Sequence, residues 1–181
     1  MAVVGEIGRF SGSAAYPQER WRELIPYRPN VIAAEPAILT NLAEYIFHGA
    51  WESPSVDTAI FPLITLGQNP MPDEQRERIW RAFRVPVYEL LTDADEGVLA
   101  SECEAYDGWH VRHRQLRFDL KTGRIVFQKH GLWASPIATG LTADGLDGIC
   151  ACGSESPLLR NVRTLISEQP AEQTFAKAVG A

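Results

Sequence analysis

All three cysteines of this chain fall into one pattern with a histidine: Cys103-x6-His110, then, farther along, Cys150-Ala151-Cys152-Gly153. Thiolate sulfur and imidazole nitrogen are donors that zinc prefers, and four of them close a tetrahedral structural site. A Cys-x-Cys-Gly segment can turn tightly enough to aim both sulfurs at one point. Its glycine turns without a Cβ clash and can leave amide protons facing the thiolates. Gly108 likewise permits the turn that returns His110 toward Cys103. The alternative is three buried free thiols and a surface histidine, because the usual two-residue spacing between cysteines is absent. In favour of the metal, the pattern leaves no cysteine over. His113 is a rival fourth ligand, although the run Arg112-His113-Arg114 reads as solvated; His48 and His130 read as surface or cap residues.

Other chemistry has thinner support. Glu102 and Glu104 flank Cys103, so a three-ligand zinc with a carboxylate base is one alternative, but four soft or borderline ligands leave it no open position. Gly-x-Ser-x-Gly does not occur, and the cysteines are claimed by the metal pattern, so a nucleophilic triad has no basis. Trp80, Phe83, Tyr88 and Trp109 could line an acid-binding pocket, but their helical and strand spacing reads as core.

The elements that must position these residues come from a chain of 181 residues, the length of about one domain. We read 1–181 as a single domain, with 1–15 an irregular lead-in and 167–181 a polar tail that could form a loose helix. With 45% hydrophobic and 22% charged residues it has an ordinary globular composition. A net charge of −6 and scattered basic residues argue against nucleic acid as a partner. No window reaches the ~18–20 apolar residues of a membrane span, and the N-terminus lacks a signal-peptide core, so no membrane is expected and a cytoplasmic location is. Three cysteines, an odd number, suit a reducing compartment better than a disulfide framework.

Along the chain, 17–25 reads as a short helix, 31–34 as a buried strand, and the stretch from Pro36 to the stop at Gly49 as a helix with Ile38, Leu42, Tyr45 and Ile46 at helical spacing. Strand 60–66, helix 73–83 and strand 85–90 follow, an order that predicts parallel pairing in an α/β layer. Shorter strands at 97–101, 111–112, 116–120 and 124–128, with a hairpin turn at Lys121-Thr122-Gly123, make the C-terminal half more antiparallel.

The stretch Gly97-Val-Leu-Ala-Ser-Glu-Cys103-Glu-Ala-Tyr-Asp-Gly-Trp-His110-Val111 and the tail Cys150-Ala-Cys152-Gly153-Ser-Glu-Ser-Pro157 resemble the phenylacetate-CoA ligase family, the CapK-like adenylate-forming enzymes. Weaker matches in the family's order run from Arg28 to Pro36 and through Leu66-Gly67-Gln68 and Met71 to Arg76. In that family a Glu-Cys pair, a short loop and Gly-x-His precede Cys-x-Cys-Gly, and several members hold zinc there. The resemblance therefore implies Zn²⁺ at Cys103, His110, Cys150 and Cys152. It also implies the fold: α/β, a partial adenylate-forming-ligase subdomain with a parallel-rich sheet, helices on its faces, and an antiparallel, zinc-stapled C-terminal half.

The nucleotide signatures of that family depart from its pattern. Phe10-Ser11-Gly12-Ser13 lies too close to Pro36 to stand for the phosphate loop and reads as an ordinary loop. The Tyr-Gly-x-Ser/Thr-Glu segment falls on 89–93, where Thr92 is kept, Asp93 replaces the glutamate, and Tyr88 is one place out of register; Asp93 and Asp95 read as loop acids. The Arg-Tyr-x-Thr-Gly-Asp stretch has only Asp144 and Asp147 near its place, and Lys177 lies in a short tail that cannot replace the mobile domain's lysine. The expectation is a zinc-stabilised, truncated, non-adenylating pseudoenzyme that binds an aryl or acyl acid, a thioester or a partner protein, with a second copy covering the N-terminal sheet edge. The alternatives are a minimal or partner-completed ATP-dependent acyl/aryl-CoA ligase and a zinc-dependent hydrolase.

Overall fold

A computed structural model describes residues 1–4, 14–52, 54–128, 136–147 and 150–165. Its parallel half begins with Ala2–Val4 (β1) and Ala14–Tyr16 (β2), followed by a 3-10 turn and the four-residue helix Leu24–Tyr27 (α1). Val31–Ala34 (β3), Pro36–Phe47 (α2), Ala59–Thr65 (β4), Asp73–Phe83 (α3) and Leu90–Asp93 (β5) come next. β1 lies between β2 and β3, and every neighbouring pair from β2 through β1, β3 and β4 to β5 is parallel.

Local chemistry fixes the two long helices. Pro36, set for helical φ and needing no intrahelical donor, opens α2, whose Ile38, Leu39, Leu42 and Ala43 are buried. α3 buries Ile79, Ala82 and Phe83 and stops at Arg84, which takes left-handed φ 60°. Both crossovers run from a strand to its parallel neighbour, and the helices pack on each other, with Gln75 Nε2 donating to Thr40 Oγ1 at 2.7 Å. Ile32, Ile60 and Ile64 pack in the same core cluster as these helices, while Val3, Ala33 and Leu63 form a second cluster.

The antiparallel half is Gly97–Ser101 (β6), Trp109–Val111 (β7), Leu116–Phe118 (β8), Arg124–Phe127 (β9), Ile137–Thr142 (β10), Gly145–Asp147 (β11), Leu158–Arg160 (β12) and Arg163–Thr164 (β13). The large sheet continues from β5 through β6, β7 and β12 to β11, and β13, β10, β9 and β8 make a smaller sheet. Leu116, Ile125, Phe127 and Leu141 of the small sheet join the helices' core cluster. The parallel-then-antiparallel order agrees with the sequence pattern.

Three expectations need correction. The lead-in 1–15 is not irregular throughout: Ala2-Val3-Val4 is a buried strand inside the sheet. The short helix at 17–25 is instead a 3-10 turn, Gln18–Glu23, running into α1, where Pro26 denies the backbone a donor. The strand at 85–90 begins only at Leu90, apart from a lone bridge between Val87 and Ile60. The Glu89 N–H that could continue the ladder is held at 2.7 Å by the Glu102 carboxylate. Among the described residues α2 and α3 lie together in one core cluster, and the Val3, Ala33 and Leu63 cluster contains no helix residue. Residues 10–13, His130, Lys177 and the tail lie outside the described residues.

β7 is the hinge of the antiparallel half, with His110 paired to Ser101 on one side and to Leu158 on the other. The approach is closest at Gly108, where an added Cβ would lie 2.2 Å from the Leu159 carbonyl oxygen and φ is +143°. At Gly153 φ is +79°, but nothing lies within 4 Å of an added Cβ. Gly108→Ala should therefore cost about 2–5 kcal/mol, overpacking and backbone strain combined. Gly153→Ala should cost only about 1–2 kcal/mol. Denaturant unfolding of the two variants measures the difference, and equal costs would contradict the close approach.

Candidate metal centre

The four residues singled out by spacing converge. The ligand atoms of Cys103, His110, Cys150 and Cys152 all lie within 4.8 Å of one another, with all but Cys152 buried. Cys103 Sγ is 3.6 Å from Cys150 Sγ, and Cys152 Sγ is 3.3 Å from His110 Nε2. A tetrahedral ion with bonds of ~2.3 Å to sulfur and ~2.0 Å to nitrogen has edges of roughly 3.8 Å between sulfurs and roughly 3.5 Å from sulfur to nitrogen. The Cys103–Cys150 and Cys152–His110 separations come within about 0.2 Å of those edges, and no cysteine is in a disulfide. The donor set and its spacing thus fit a metal ion.

Each ligand is aimed by its local backbone. Cys103 lies just past β6 in a turn closed by the Tyr106 N–H on its carbonyl at 3.0 Å. His110 sits in β7, fully buried, with Nδ1 3.3 Å from the Ser156 carbonyl oxygen. Donation from Nδ1–H to that carbonyl leaves the Nε2 lone pair facing the sulfurs. Cys150 and Cys152 form a turn closed by Gly153 N–H on the Cys150 carbonyl at 3.0 Å, and the Ser154 N–H points at Cys152 Sγ from 3.4 Å. That is the turn with thiolate-facing amides expected from Cys-x-Cys-Gly. The Ser154 N–H, above all, holds the Cys152 thiol below its usual range. Burial pushes the Cys103 thiol up to about 12. A cation among these groups reverses that preference, because it holds a coordinated thiol as thiolate.

The other candidates go elsewhere. His113 stands outside the cluster, with Nε2 3.5 Å from Glu96 and its ring edge-on to Phe127. It is half-buried rather than solvated. Glu102, a possible base beside Cys103, is turned away from the sulfurs. Its carboxylate accepts both arms of the Arg76 guanidinium, at 2.7 and 3.1 Å. Glu104 is exposed. Asp93 accepts the Asp95 and Glu96 N–H groups, and Asp144 accepts from Asn161 and pairs with Arg163. Phe83 packs edge-on to Trp51, whereas Trp109 borders a cavity of about 390 Å³ with Arg76, Glu89 and Glu102.

Sequence reasoning missed that Arg76–Glu89–Glu102 group. Arg76 of α3 meets Glu102 beside the metal ligand Cys103, and Glu89, 1% exposed, accepts the Met71 N–H at 2.6 Å. The signal was Glu89 itself, a carboxylate inside an otherwise apolar strand expectation. Burial first, and the Glu102 charge second, push the Glu89 carboxyl up to about 7. The native state then keeps a proton that the unfolded chain has released, so this group's contribution is full below about pH 4.5 and is lost as pH rises toward about 7. Glu89→Gln should flatten the fall of stability between those pH values, read as the pH dependence of urea midpoints. An unchanged slope would remove Glu89 as its source.

No protein-family model matches the sequence, and no curated protein does. Solved structures do match. The open conformation of 2-hydroxyisobutyryl-CoA ligase, in complex with 2-HIB-AMP and CoA, superposes with a TM-score of 0.64 at 14% identity, covering 92% of this chain and 45% of that one. The postadenylation state of 2-hydroxyisobutyryl-CoA ligase, in complex with R3-HIB-AMP, gives 0.61 at 15% identity, covering 88% and 42%. This chain therefore spans less than half the length of those ligases. What it shares with them is a fold: the mixed α/β, parallel-rich arrangement of part of an adenylate-forming CoA ligase.

Proposed function

We propose that this chain is a zinc-stapled, non-adenylating relative of the phenylacetate-CoA ligase group, a pseudoenzyme that binds an aryl or acyl acid, a thioester or a partner protein. The observation that carries the reading is the convergence of three sulfurs and one imidazole nitrogen within 4.8 Å of one another, with two of the separations close to tetrahedral edges. Zinc suits that donor set, with four protein ligands and no position left for a reacting water. Its role is to tie the loop after β6 to the turn before β12, so metal binding is folding energy.

The acids that could stand in for nucleotide-binding carboxylates support the non-adenylating part. Asp93 caps a turn, Asp144 is held by Asn161 and Arg163, and buried Thr92 turns its hydroxyl to the Ile64 carbonyl. A hydrolytic zinc is disfavoured by the engagement of Glu102 with Arg76. The fold likeness to CoA ligases favours a second reading, a ligase completed by a partner that supplies the ATP-binding part.

Metal analysis of the purified protein tests the first reading. About one zinc per chain is expected, lost in both Cys103→Ser and Cys152→Ser, with chelator lowering the unfolding temperature. No metal, or metal removed without loss of stability, would sink it. ATP-dependent pyrophosphate exchange separates the two readings. The proposal expects none from the isolated chain with aryl and acyl acids, and exchange restored by a partner would establish the second reading.

A further inference from the structure

The cavity beside Trp109 is a poor place for an anion. Asp73, Glu89, Glu102 and Asp107 surround its Arg76, and Glu102 already occupies both arms of that guanidinium. A second cavity, of about 510 Å³, lies where the end of β7 and the turn after it face β8 and the β11–β12 pair. Its charge is opposite in sign. Arg112, Arg114 and Arg117 line it, and no described acidic side chain does. In a chain of net charge −6 this is a local departure.

Two of these arginines form no ion pair with the described residues. Arg112 Nε donates to Ser101 Oγ at 2.8 Å, which orients the side chain without neutralising it. Arg114 and Arg117 are exposed and have no ion-pair partner among the described residues. Glu96, an acid nearby in the fold, faces His113 and is not part of the lining. Apart from His113, which faces Glu96, the remaining wall is apolar, with Phe118, Leu159 and Leu146, the last 45% exposed.

We infer that this cavity is a binding site for a small phosphate monoester with an apolar aryl or alkyl body. The head would lie among Arg112, Arg114 and Arg117 and the body against Phe118, Leu146 and Leu159. Guanidinium forks match phosphate oxygens in geometry and bind them with charge-assisted hydrogen bonds. Charge count selects the head: a monocarboxylate would leave two of three guanidinium charges uncompensated beside an apolar wall, whereas a dianionic phosphate leaves one. The apolar wall selects an ester over inorganic phosphate. The inference rests on the proposal that the chain binds a ligand rather than ligating one, and it names that ligand's chemistry and location.

Titration calorimetry of the metal-loaded protein with 1-naphthyl phosphate, 1-naphthylacetate and inorganic phosphate tests it. The naphthyl phosphate should bind at least about tenfold more tightly than either comparison compound. The acetate brings one negative charge and two acceptor oxygens where the phosphate monoester brings up to two charges and three oxygens, and inorganic phosphate leaves the apolar wall empty. Arg114→Ala and Arg117→Ala should each weaken binding by about tenfold, and Arg117→Lys by less, because the charge remains and only the fork is removed. All three variants lie away from the metal ligands and should keep their zinc and unfolding temperature, so weakened binding reads as removal of the guanidinium itself. Equal affinity for phosphate and acetate, no binding by folded protein, or indifference to the arginine variants would overturn the assignment. Capture by phosphatidic acid vesicles without binding of the small ester would overturn it too. Pyrophosphate exchange by the isolated chain would instead sink the non-adenylating proposal, leaving the cavity's selectivity to be judged by the same titrations.

Discussion

Three thiols and an imidazole crowded within 4.8 Å make a poor interior without a cation. Their donors and acceptors have left water, while the described contacts that replace it are few and long: a sulfur pair at 3.6 Å, a sulfur–imidazole contact at 3.3 Å and one amide on sulfur at 3.4 Å. Burying polar groups with such weak partners is costly. A divalent ion bound there would offset that cost through four strong bonds and so decide how the antiparallel half closes. Cys103 and Cys150 stand 47 positions apart, and a link between them restricts a long loop of the unfolded chain. The casing is already dry, for Leu158, fully buried, packs against Cys103 and Cys150.

The staple is not isolated from the parallel half. Glu102, one residue before Cys103, grips Arg76 of α3 and also takes the Glu89 N–H that would otherwise extend β5. One carboxylate thus ties the residue before β5 to α3 at the point where the Cys103 loop departs from β6. The group is buried and mixed in charge, so deleting one member leaves an uncompensated charge and costs more than the pair contributes. Gly108 acts at the far side of the same loop, where only a residue without Cβ lets β7 come against Leu159. Together these contacts hold the Cys103–His110 segment at both ends.

Legibility in the sequence followed physical strength. The helices were readable because Pro36 opens one, a left-handed stop closes the other, and buried residues repeat at helical spacing between. The clustering of Cys103, His110, Cys150 and Cys152 was readable because soft donors with a glycine beside them are few and leave no cysteine over. What was hidden depends on long-range pairing. β1 and β12 are three residues each, and their identity as strands comes from neighbours in the sheet rather than from their own pattern. β10 is broken by Gly140 at φ +75°, where its register against β9 shifts, so its alternation never reads cleanly. The Arg76–Glu102 pair joins residues 26 positions apart, and nothing local in either segment announces the other.

Charge divides these two cavities along the same sheet half. The cavity bordered by Trp109 is ringed by acids, whereas the one reached from the end of β7 is ringed by arginines. Trp109 and Val111 lie two residues apart on β7, so the strand that carries His110 also borders both cavities. Displacing β7 by loss of the ion would disturb both walls together, because Leu158 and Leu159 are paired to the same strand. Metal occupancy and the shape of either cavity are therefore linked through one short piece of backbone. A metal held there would govern the proposed ligand binding without touching a ligand, as a staple that sets the spacing of the walls.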